Sequence, residues 1–343
     1  MNQQPKILLI YTGGTIGMRR DYTSGTLRPF DFQNVLDEIP ELRLLHCDIE
    51  HVTIKTPIDS SNMHPSIWSE LAGLIEMNYK TYDGFVILHG SDTMSYTASA
   101  LSFMLQNLEK AVVLTGSQLP IGDLRTDAKE NLITAIQIAA LTNHGKPVVQ
   151  EVCLYFEYKL YRGNRTTKIS AEQFEAFNSP NYPPMIISGV HLEVQHGLLF
   201  RSNQNMPFTT YLSMECQVGI LKLFPGITKD FVEAILLKSN LKGVIIESFG
   251  SGNMTTDAWF IDLLEVTVKR GIPVVNVTQC SGGEVTMGVY DTSVALSRIG
   301  IISGKDITTE AALTKLMFLL ANDPGNYNHL KARFEESLSG EIA

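Results

Sequence analysis

Short apolar runs that end in glycine and hydroxyl residues recur along the first half of the chain. Residues 6–11, 85–88 and 111–114 are almost uniformly apolar and rich in β-branched side chains. Runs of this length, bounded by turn residues, predict buried strands. The segments around 65–75 and 126–140 instead place apolar residues three and four positions apart, which predicts amphipathic helices. The chain therefore begins as an alternation of strands and helices.

This alternation predicts βαβ units and a mainly parallel sheet. Crossovers between parallel strands are nearly always right-handed, which aligns the carboxyl ends of the strands along one rim. The periodicity fades between residues 191 and 216 and then resumes. We therefore predict an α/β protein of two domains, each with a mainly parallel sheet flanked by helices. The N-terminal domain spans residues 1–195 and carries the polar turns, 196–216 form a linker, and 217–343 form a smaller C-terminal domain.

The composition agrees with a globular protein that acts on a small molecule. A length of 343 residues fits two domains, and 44% hydrophobic with 18% charged residues is ordinary for a folded chain. The net charge of −9 and the lack of a lysine/arginine block argue against nucleic acid or an anionic membrane as partner. No signal peptide and no apolar run of about 20 residues is evident, so we expect a cytoplasmic protein without membrane attachment.

The cysteines predict neither disulfides nor a metal site. Cys47, Cys153, Cys216 and Cys280 are widely spaced and form no C-x-x-C pair. Disulfide frameworks and zinc sites usually show closer, repeated spacings. We therefore expect reduced thiols and no metal.

Hydroxyl residues follow several of the predicted strands. These residues are Thr12, Thr15, Ser60, Ser61, Ser91 and Thr93. A hydroxyl is a weak nucleophile at neutral pH and needs a base or another proton acceptor nearby. His89 and Lys168 are the candidates, although a structural histidine and a solvated lysine are the alternatives. Asp92 either orients the lysine, pairs with a ligand ammonium group, or caps the following helix.

The glycines of the first turn suggest how a developing negative charge could be stabilised. Gly13 and Gly14 allow backbone N–H groups to face a ligand, as an oxyanion hole requires. The sequence contains neither G-x-G-x-x-G nor G-x-x-x-x-G-K-[ST], so a nucleotide phosphate site is not expected.

Five motifs in order resemble the bacterial-type L-asparaginases, specifically their cytoplasmic type I branch. They are Thr12-Gly13-Gly14-Thr15-Ile16-Gly17, Asp59-Ser60-Ser61-Asn62-Met63, His89-Gly90-Ser91-Asp92-Thr93-Met94, Thr115-Gly116-Ser117-Gln118 and Tyr161-Arg162-Gly163-Asn164-Arg165-Thr166-Thr167-Lys168. The resemblance continues through residues 276–280 and so covers nearly the whole chain. It implies hydrolysis of L-asparagine to L-aspartate and ammonia without a cofactor, by a homodimer or homotetramer.

The resemblance also implies the roles of individual residues. Thr15 corresponds to the nucleophile and Tyr22 to its partner, while Ser91, Asp92 and Lys168 form the second catalytic set. The substrate-binding positions are Asp59, Ser60, Ser61, Ser91, Asp92 and Ser117. Two departures concern these positions. Ser91 stands where the family usually has threonine, and Tyr22 follows Thr15 at a shorter spacing than is usual in this branch.

A third departure concerns regulation. Some cytoplasmic members have a second, allosteric asparagine site, whose positions correspond to Thr167, Glu247 and Cys280 here. Those members have an arginine at the position of Glu247. Because a carboxylate repels the carboxylate of asparagine, we predict hyperbolic rather than sigmoidal saturation.

Other functions use the same residues. A glutaminase differs by one methylene in the substrate, which is worth only about 1–3 kcal/mol in a pocket. An amidotransferase subunit acting on aminoacylated tRNA is disfavoured by the net charge of −9. A non-catalytic amino-acid sensor would lack the nucleophile or its base, yet Thr15, Ser91, Asp92 and Lys168 are all present.

Overall fold

The protein consists of two compact units. A computed structural model describes residues 4–20, 27–29, 39–201, 205–288, 291–323 and 325–343. The units are Met1–Leu212 and Ser213–Ala343, so the division falls inside the predicted linker, whose limits stay a prediction. Both units combine parallel strands with helices, which confirms the predicted α/β class.

The first unit holds the polar turns that the sequence singled out. Its strands are β1 Lys6–Gly13, β2 Met18–Arg20, β3 Leu27–Pro29, β4 Asp48–Ile58, β5 Gly84–Leu88, β6 Leu105–Gln106, β7 Val112–Thr115, β8 Thr142–Asn143, β9 Lys146–Pro147, β10 Val152–Phe156, β11 Lys159–Arg162, β12 Thr167–Lys168, β13 Phe177–Asn178, β14 Ile186–Ser188, β15 Leu192–Val194 and β16 Thr209–Thr210. Its helices are α1 Pro65–Asn78, α2 Met94–Met104 and α3 Ala128–Ala139.

Eight of these strands form one sheet in the order β15-β14-β11-β10-β7-β5-β1-β4. The five from β4 to β10 are parallel, and β11, β14 and β15 continue the sheet antiparallel. Every residue of β5, β7 and β10 is buried, as expected for central strands covered on both faces. The two-residue strand β16 lies in the predicted linker segment and pairs with β6.

Two helices show how local sequence sets the ends of the elements. Helix α1 begins at Pro65, which suits the first helical turn, and the His64 side chain accepts the backbone N–H of Ser66. Helix α2 begins at Met94 and ends at Met104. It is buried on nearly every side, so no apolar stripe marks its first turn in the sequence.

The second unit is a smaller sheet with helices on its faces. Its strands are β17 Val218–Lys222, β18 Gly243–Ser248, β19 Val274–Thr278 and β20 Ile302–Ser303, and its helices are α4 Lys229–Leu236, α5 Ala258–Lys269, α6 Asp291–Ile299, α7 Thr309–Asn322 and α8 Tyr327–Glu335. The four strands are parallel and lie side by side in chain order. Lys315 and Glu341 form a fully buried ion pair in this unit, and Lys315 also donates to the carbonyl of Phe334. No helix in the described part of the chain is long and apolar enough to cross a membrane.

Candidate active site

The polar turns meet because they follow neighbouring parallel strands. Strands β4, β1, β5 and β7 are adjacent in that order, so their carboxyl ends share one rim. The turn after β1 carries Thr15, and the turns after β4, β5 and β7 carry Ser60, Ser91 and Ser117. Ligands of open α/β sheets bind outside this rim. The topology therefore brings together hydroxyls that lie as much as 102 positions apart in the sequence, from Thr15 to Ser117.

Two glycines let the first and third turns touch. Gly14 has a φ of +86°, and a Cβ built on it would lie 2.5 Å from both the N and the Cα of Gly90. Because real Cβ atoms do not approach backbone so closely, neither turn could keep this contact with a larger residue at position 14. The backbone contact brings together the turns that carry Thr15 and Ser91.

Lys168 reaches the same rim from β12. Its amine donates to the Ser91 hydroxyl at 2.8 Å and to a carboxylate oxygen of Asp92 at 2.7 Å. The Lys168 side chain is only 19% exposed, whereas that of Asp92 is 63% exposed. The lysine is therefore held inside the rim, and the aspartate presents most of its surface to solvent. Lys168 and the adjacent residues Ser91 and Asp92, more than seventy positions apart in sequence, form one hydrogen-bonded group.

Gln118 completes the surroundings of Ser91; the sequence analysis named it only as part of a motif and assigned it no role. The Ser91 hydroxyl donates to the side-chain oxygen of Gln118 at 3.3 Å. Gln118 also donates through its amide nitrogen to the carbonyl of Gln173 at 3.0 Å. Both hydrogen-bonding directions of the Ser91 hydroxyl are thus occupied. Gln118 could have been identified from its position in the turn after β7, because polar residues at this rim of the sheet are candidates for a binding or catalytic role.

The turn after β4 is a short 3₁₀ helix that is fixed at both ends. Asp59 accepts the backbone N–H and the hydroxyl of Ser61, both at 2.9 Å, and these bonds lower the pKa of Asp59. The hydroxyl of Thr93 donates to the carbonyl of Ser60 at 2.8 Å, which ties this turn to the one carrying Ser91. Ser60 is buried, and its hydroxyl lies 2.6 Å from the point that a Cβ of Gly90 would occupy.

His89 has the structural role that was one of its two sequence interpretations. Its ring nitrogens lie 2.7 Å from the carbonyl of Gly90 and 2.8 Å from the hydroxyl of Thr97. Since a carbonyl only accepts, Nδ1 carries the proton and Nε2 accepts from Thr97. Burial lowers the pKa of His89 to about 4. The ring is therefore neutral at pH 7 and both its nitrogens are engaged.

Other hydroxyls at the rim are bound within the fold. Thr12 donates to the carbonyl of Leu88 at 2.9 Å, and Ser117 donates to the carbonyl of Leu119 at 2.6 Å. Thr15 is partly buried at the start of a 3₁₀ turn whose glycine, Gly17, accepts a hydrogen bond from Tyr11. Tyr22 lies outside the described residues.

The three residues of the proposed regulatory site belong to different units. Thr167 pairs with Asn178 in the first unit. In the second unit, Glu247 is partly buried at the end of β18, 3.4 Å from the amine of Lys222, and it accepts the hydroxyl of Thr309 at 2.8 Å. Cys280 is exposed and its thiol is reduced.

Within the described residues, no group of three histidine, cysteine, aspartate or glutamate side chains is arranged to hold a metal ion. What the described part of the rim offers instead is hydroxyls, the amine of Lys168 and the carboxylates of Asp59 and Asp92. This set suits proton transfer and nucleophilic attack on a carbonyl group.

Comparison with known proteins agrees with this site. Residues 6–199 match the model "Asparaginase, N-terminal", and residues 217–334 match "Glutaminase/Asparaginase C-terminal domain". The chain is 41% identical over 350 residues to L-asparaginase 1 of Escherichia coli K12, covering 99% of this chain and 98% of the relative. It is 38% identical to the mouse 60 kDa lysophospholipase, over 100% of this chain and 63% of that protein.

A solved structure agrees with the sequence matches. The crystal structure of L-asparaginase I from Vibrio cholerae superposes with a TM-score of 0.90 at 38% identity, over 99% of this chain and all of the other. The family models together match more than half of the chain, on both units of the fold. The chain therefore belongs to the asparaginase family.

Proposed function

We propose that this protein hydrolyses L-asparagine to L-aspartate and ammonia. The observation that carries the proposal is the hydrogen-bonded group of Ser91, Asp92 and Lys168 at the rim of the sheet. Such a group supplies a hydroxyl, a proton-carrying amine and a carboxylate at one place, as hydrolysis of an amide requires. The similarity to L-asparaginase 1 of Escherichia coli supports the choice of asparagine.

In the proposed reaction, the Thr15 hydroxyl attacks the side-chain amide carbon of asparagine. The hydroxyl proton leaves through Tyr22, and the C–N bond breaks once the leaving nitrogen gains a proton, releasing ammonia. Water then attacks the resulting ester and frees aspartate and Thr15. Ser91, Lys168 and Asp92 form the second set of catalytic groups and serve this attack of water. The backbone N–H groups of the glycine turn stabilise the oxyanion.

Substrate binding is assigned to the turn after β4 and to Asp92. Ser60 binds the α-carboxylate, and the exposed carboxylate of Asp92 binds the α-amino group. The remaining substrate-binding residues are Asp59, Ser61, Ser91 and Ser117. Exposure of Asp92 favours this role, because more than half of its side chain faces solvent. The protein works without a cofactor, as a cytoplasmic homodimer or homotetramer.

We also propose that the second asparagine site is not functional. Glu247 accepts the hydroxyl of Thr309 and pairs with the amine of Lys222. Among the described residues, Lys222 is the only cation paired with Glu247, and it already neutralises this carboxylate rather than a ligand's. An asparagine carboxylate would meet a like charge at this position.

The test is release of ammonia from L-asparagine and from L-glutamine by the purified wild type, Thr15→Ala and Ser91→Ala. The proposal expects release by the wild type and a loss of about 10²-fold or more in each variant. Thr142→Ala, an exposed threonine of β8, is the matched control and keeps the wild-type rate. Preference for glutamine would indicate a glutaminase. Absence of ammonia with either amino acid would favour the sensor or the tRNA-linked subunit.

A further inference from the structure

Asp127 is a buried carboxylate that the proposed reaction does not use. It is only 7% exposed and stands just before α3. Its oxygens accept the backbone N–H of Gln118 at 2.9 and 3.2 Å and that of Leu119 at 3.1 Å. Two consecutive amides of the turn after β7 thus point at one carboxylate. Burial raises the pKa of Asp127, and these amide bonds act in the opposite direction.

An ordinary role for an aspartate at this position is to cap its own helix. Asp127 occupies the N-cap position of α3, but its side chain makes no cap hydrogen bond. The hydroxyl of Thr126 instead accepts the N–H of Ala128 at 3.0 Å. The carboxylate is therefore committed to the neighbouring turn and not to the start of the helix.

Asn131, one helical turn later, extends the same network. It is fully buried, and its amide nitrogen donates to Asp127 at 3.2 Å and to the carbonyl of Gly116 at 3.0 Å. Its oxygen accepts the N–H of Glu157 at 3.0 Å. Glu157 and Tyr158 both adopt positive φ, at 45° and 69°, which non-glycine residues rarely do. Asn131 thus ties the turn after β7 to the strained hairpin turn between β10 and β11.

The turn after β7, which Asp127 and Asn131 hold, also contacts the segment that carries Ser91. A Cβ at Gly116 would lie 2.3 Å from the carbonyl oxygen of His89, so the turn packs directly on the chain that leads into Ser91. From this turn Gln118 receives the hydroxyl hydrogen of Ser91. Gln118 therefore connects Asp127 to Ser91 through hydrogen bonds to both residues.

We propose that Asp127 and Asn131 clamp the turn after β7 and so position Gln118 against the Ser91 hydroxyl. The clamp is a positioning device, since neither residue touches the reacting groups. A hydroxyl whose hydrogen is held by Gln118 keeps a fixed orientation toward Lys168 and the substrate. Small errors of placement at such a group cost a large part of the rate. The proposal rests on the proposed amide hydrolysis.

The experiment compares wild type with Asp127→Ala and Asp127→Asn. We expect Asp127→Ala to lower kcat by about tenfold or more with a smaller change in KM, because the clamp orients a catalytic group and does not bind substrate. Asp127→Asn keeps one acceptor oxygen, so its kcat is expected to lie between those of wild type and Asp127→Ala. It replaces Asp127→Ala in the experiment if the alanine variant does not fold. Ile138→Val, a fully buried change on the same helix, is the control for lost stability alone.

A double variant tests the route through Gln118. If Asp127 acts through Gln118, then Asp127→Ala combined with Gln118→Ala lowers kcat no further than the more damaging single change. Hydrogen exchange adds a readout that does not depend on activity: the amides of Gln118 and Leu119 exchange faster in Asp127→Ala than in Ile138→Val.

Two results would overturn the clamp: a kcat of Asp127→Ala equal to that of Ile138→Val, or multiplying losses in the double variant. A wild type that releases no ammonia would refute the proposed hydrolysis instead, and the exchange rates would still report whether Asp127 holds the turn.

Discussion

The amine of Lys168 lies 2.8 Å from the hydroxyl oxygen of Ser91, although 77 positions separate the two residues in sequence. The contact depends on the order of the parallel strands, which carries the turn after β5 to the rim, and on β12, which delivers the lysine. The lysine is mostly shielded from solvent while the aspartate that it contacts is open to it. This arrangement is what distinguishes the site from a surface ion pair.

Ser91→Thr tests the position at which this chain departs from its family. Threonine keeps the hydroxyl and adds a β-methyl that restricts χ1. We therefore expect kcat/KM to rise by about a few-fold, because the free energy of restricting one side-chain torsion is of that order. Steady-state kinetics with asparagine measures it. An unchanged or lower kcat/KM would contradict this prediction.

Saturation with asparagine tests the substitution of Glu247. Because Glu247 faces Lys222 and repels a second carboxylate, the initial rate is expected to rise hyperbolically with asparagine concentration. The Hill coefficient would then be about one. Glu247→Gln, which removes the charge but adds no cation, is expected to behave in the same way. A wild-type coefficient well above one would contradict the account.

His89 predicts a pH dependence of stability. Its pKa is about 4 in the folded protein, against 6.5 as the ordinary value, so the unfolded chain binds the proton more tightly. The contribution to stability is complete above pH 6.5 and is lost as pH falls toward 4, with a magnitude of about 3 kcal/mol. Urea unfolding between pH 7 and pH 4 measures this loss.

His89→Gln isolates the effect from the carboxylates that also titrate in this range. Glutamine does not titrate, so the variant is expected to lose about 3 kcal/mol less free energy of unfolding over the interval than the wild type. Parallel pH profiles of the two proteins would mean that the pKa of His89 is the same in the folded and the unfolded chain.

Much of the fold was open to prediction because its strands are short, apolar and buried on both faces. Phe85 to Leu88 is a strand in the structure as predicted, since no other element suits so short an apolar run. The ends of α2 were harder, because a helix buried all round has no polar face to mark its start. The antiparallel additions β14 and β15 are three residues each, too short to show a period.

The candidate site, too, could be predicted from the sequence only in part. Motifs placed Ser91, Asp92 and Lys168 at the site, and the structure brings them into contact. The contacts of Gln118 and Asp127 depend on which way a turn faces after folding, and no spacing in the sequence encodes that direction. The engagement of Thr12 and Ser117 with carbonyl groups is likewise set by tertiary packing.

The most direct test of the central claim is the rate of ammonia release from L-asparagine by Lys168→Met. Methionine preserves much of the side-chain length but neither carries a proton nor donates to Ser91 and Asp92. The rate is expected to fall by about 10²–10⁴-fold without loss of the fold. Lys159→Met, at a partly exposed lysine paired with Glu175, is the matched control and should retain the wild-type rate. A Lys168→Met enzyme as active as this control would contradict the account.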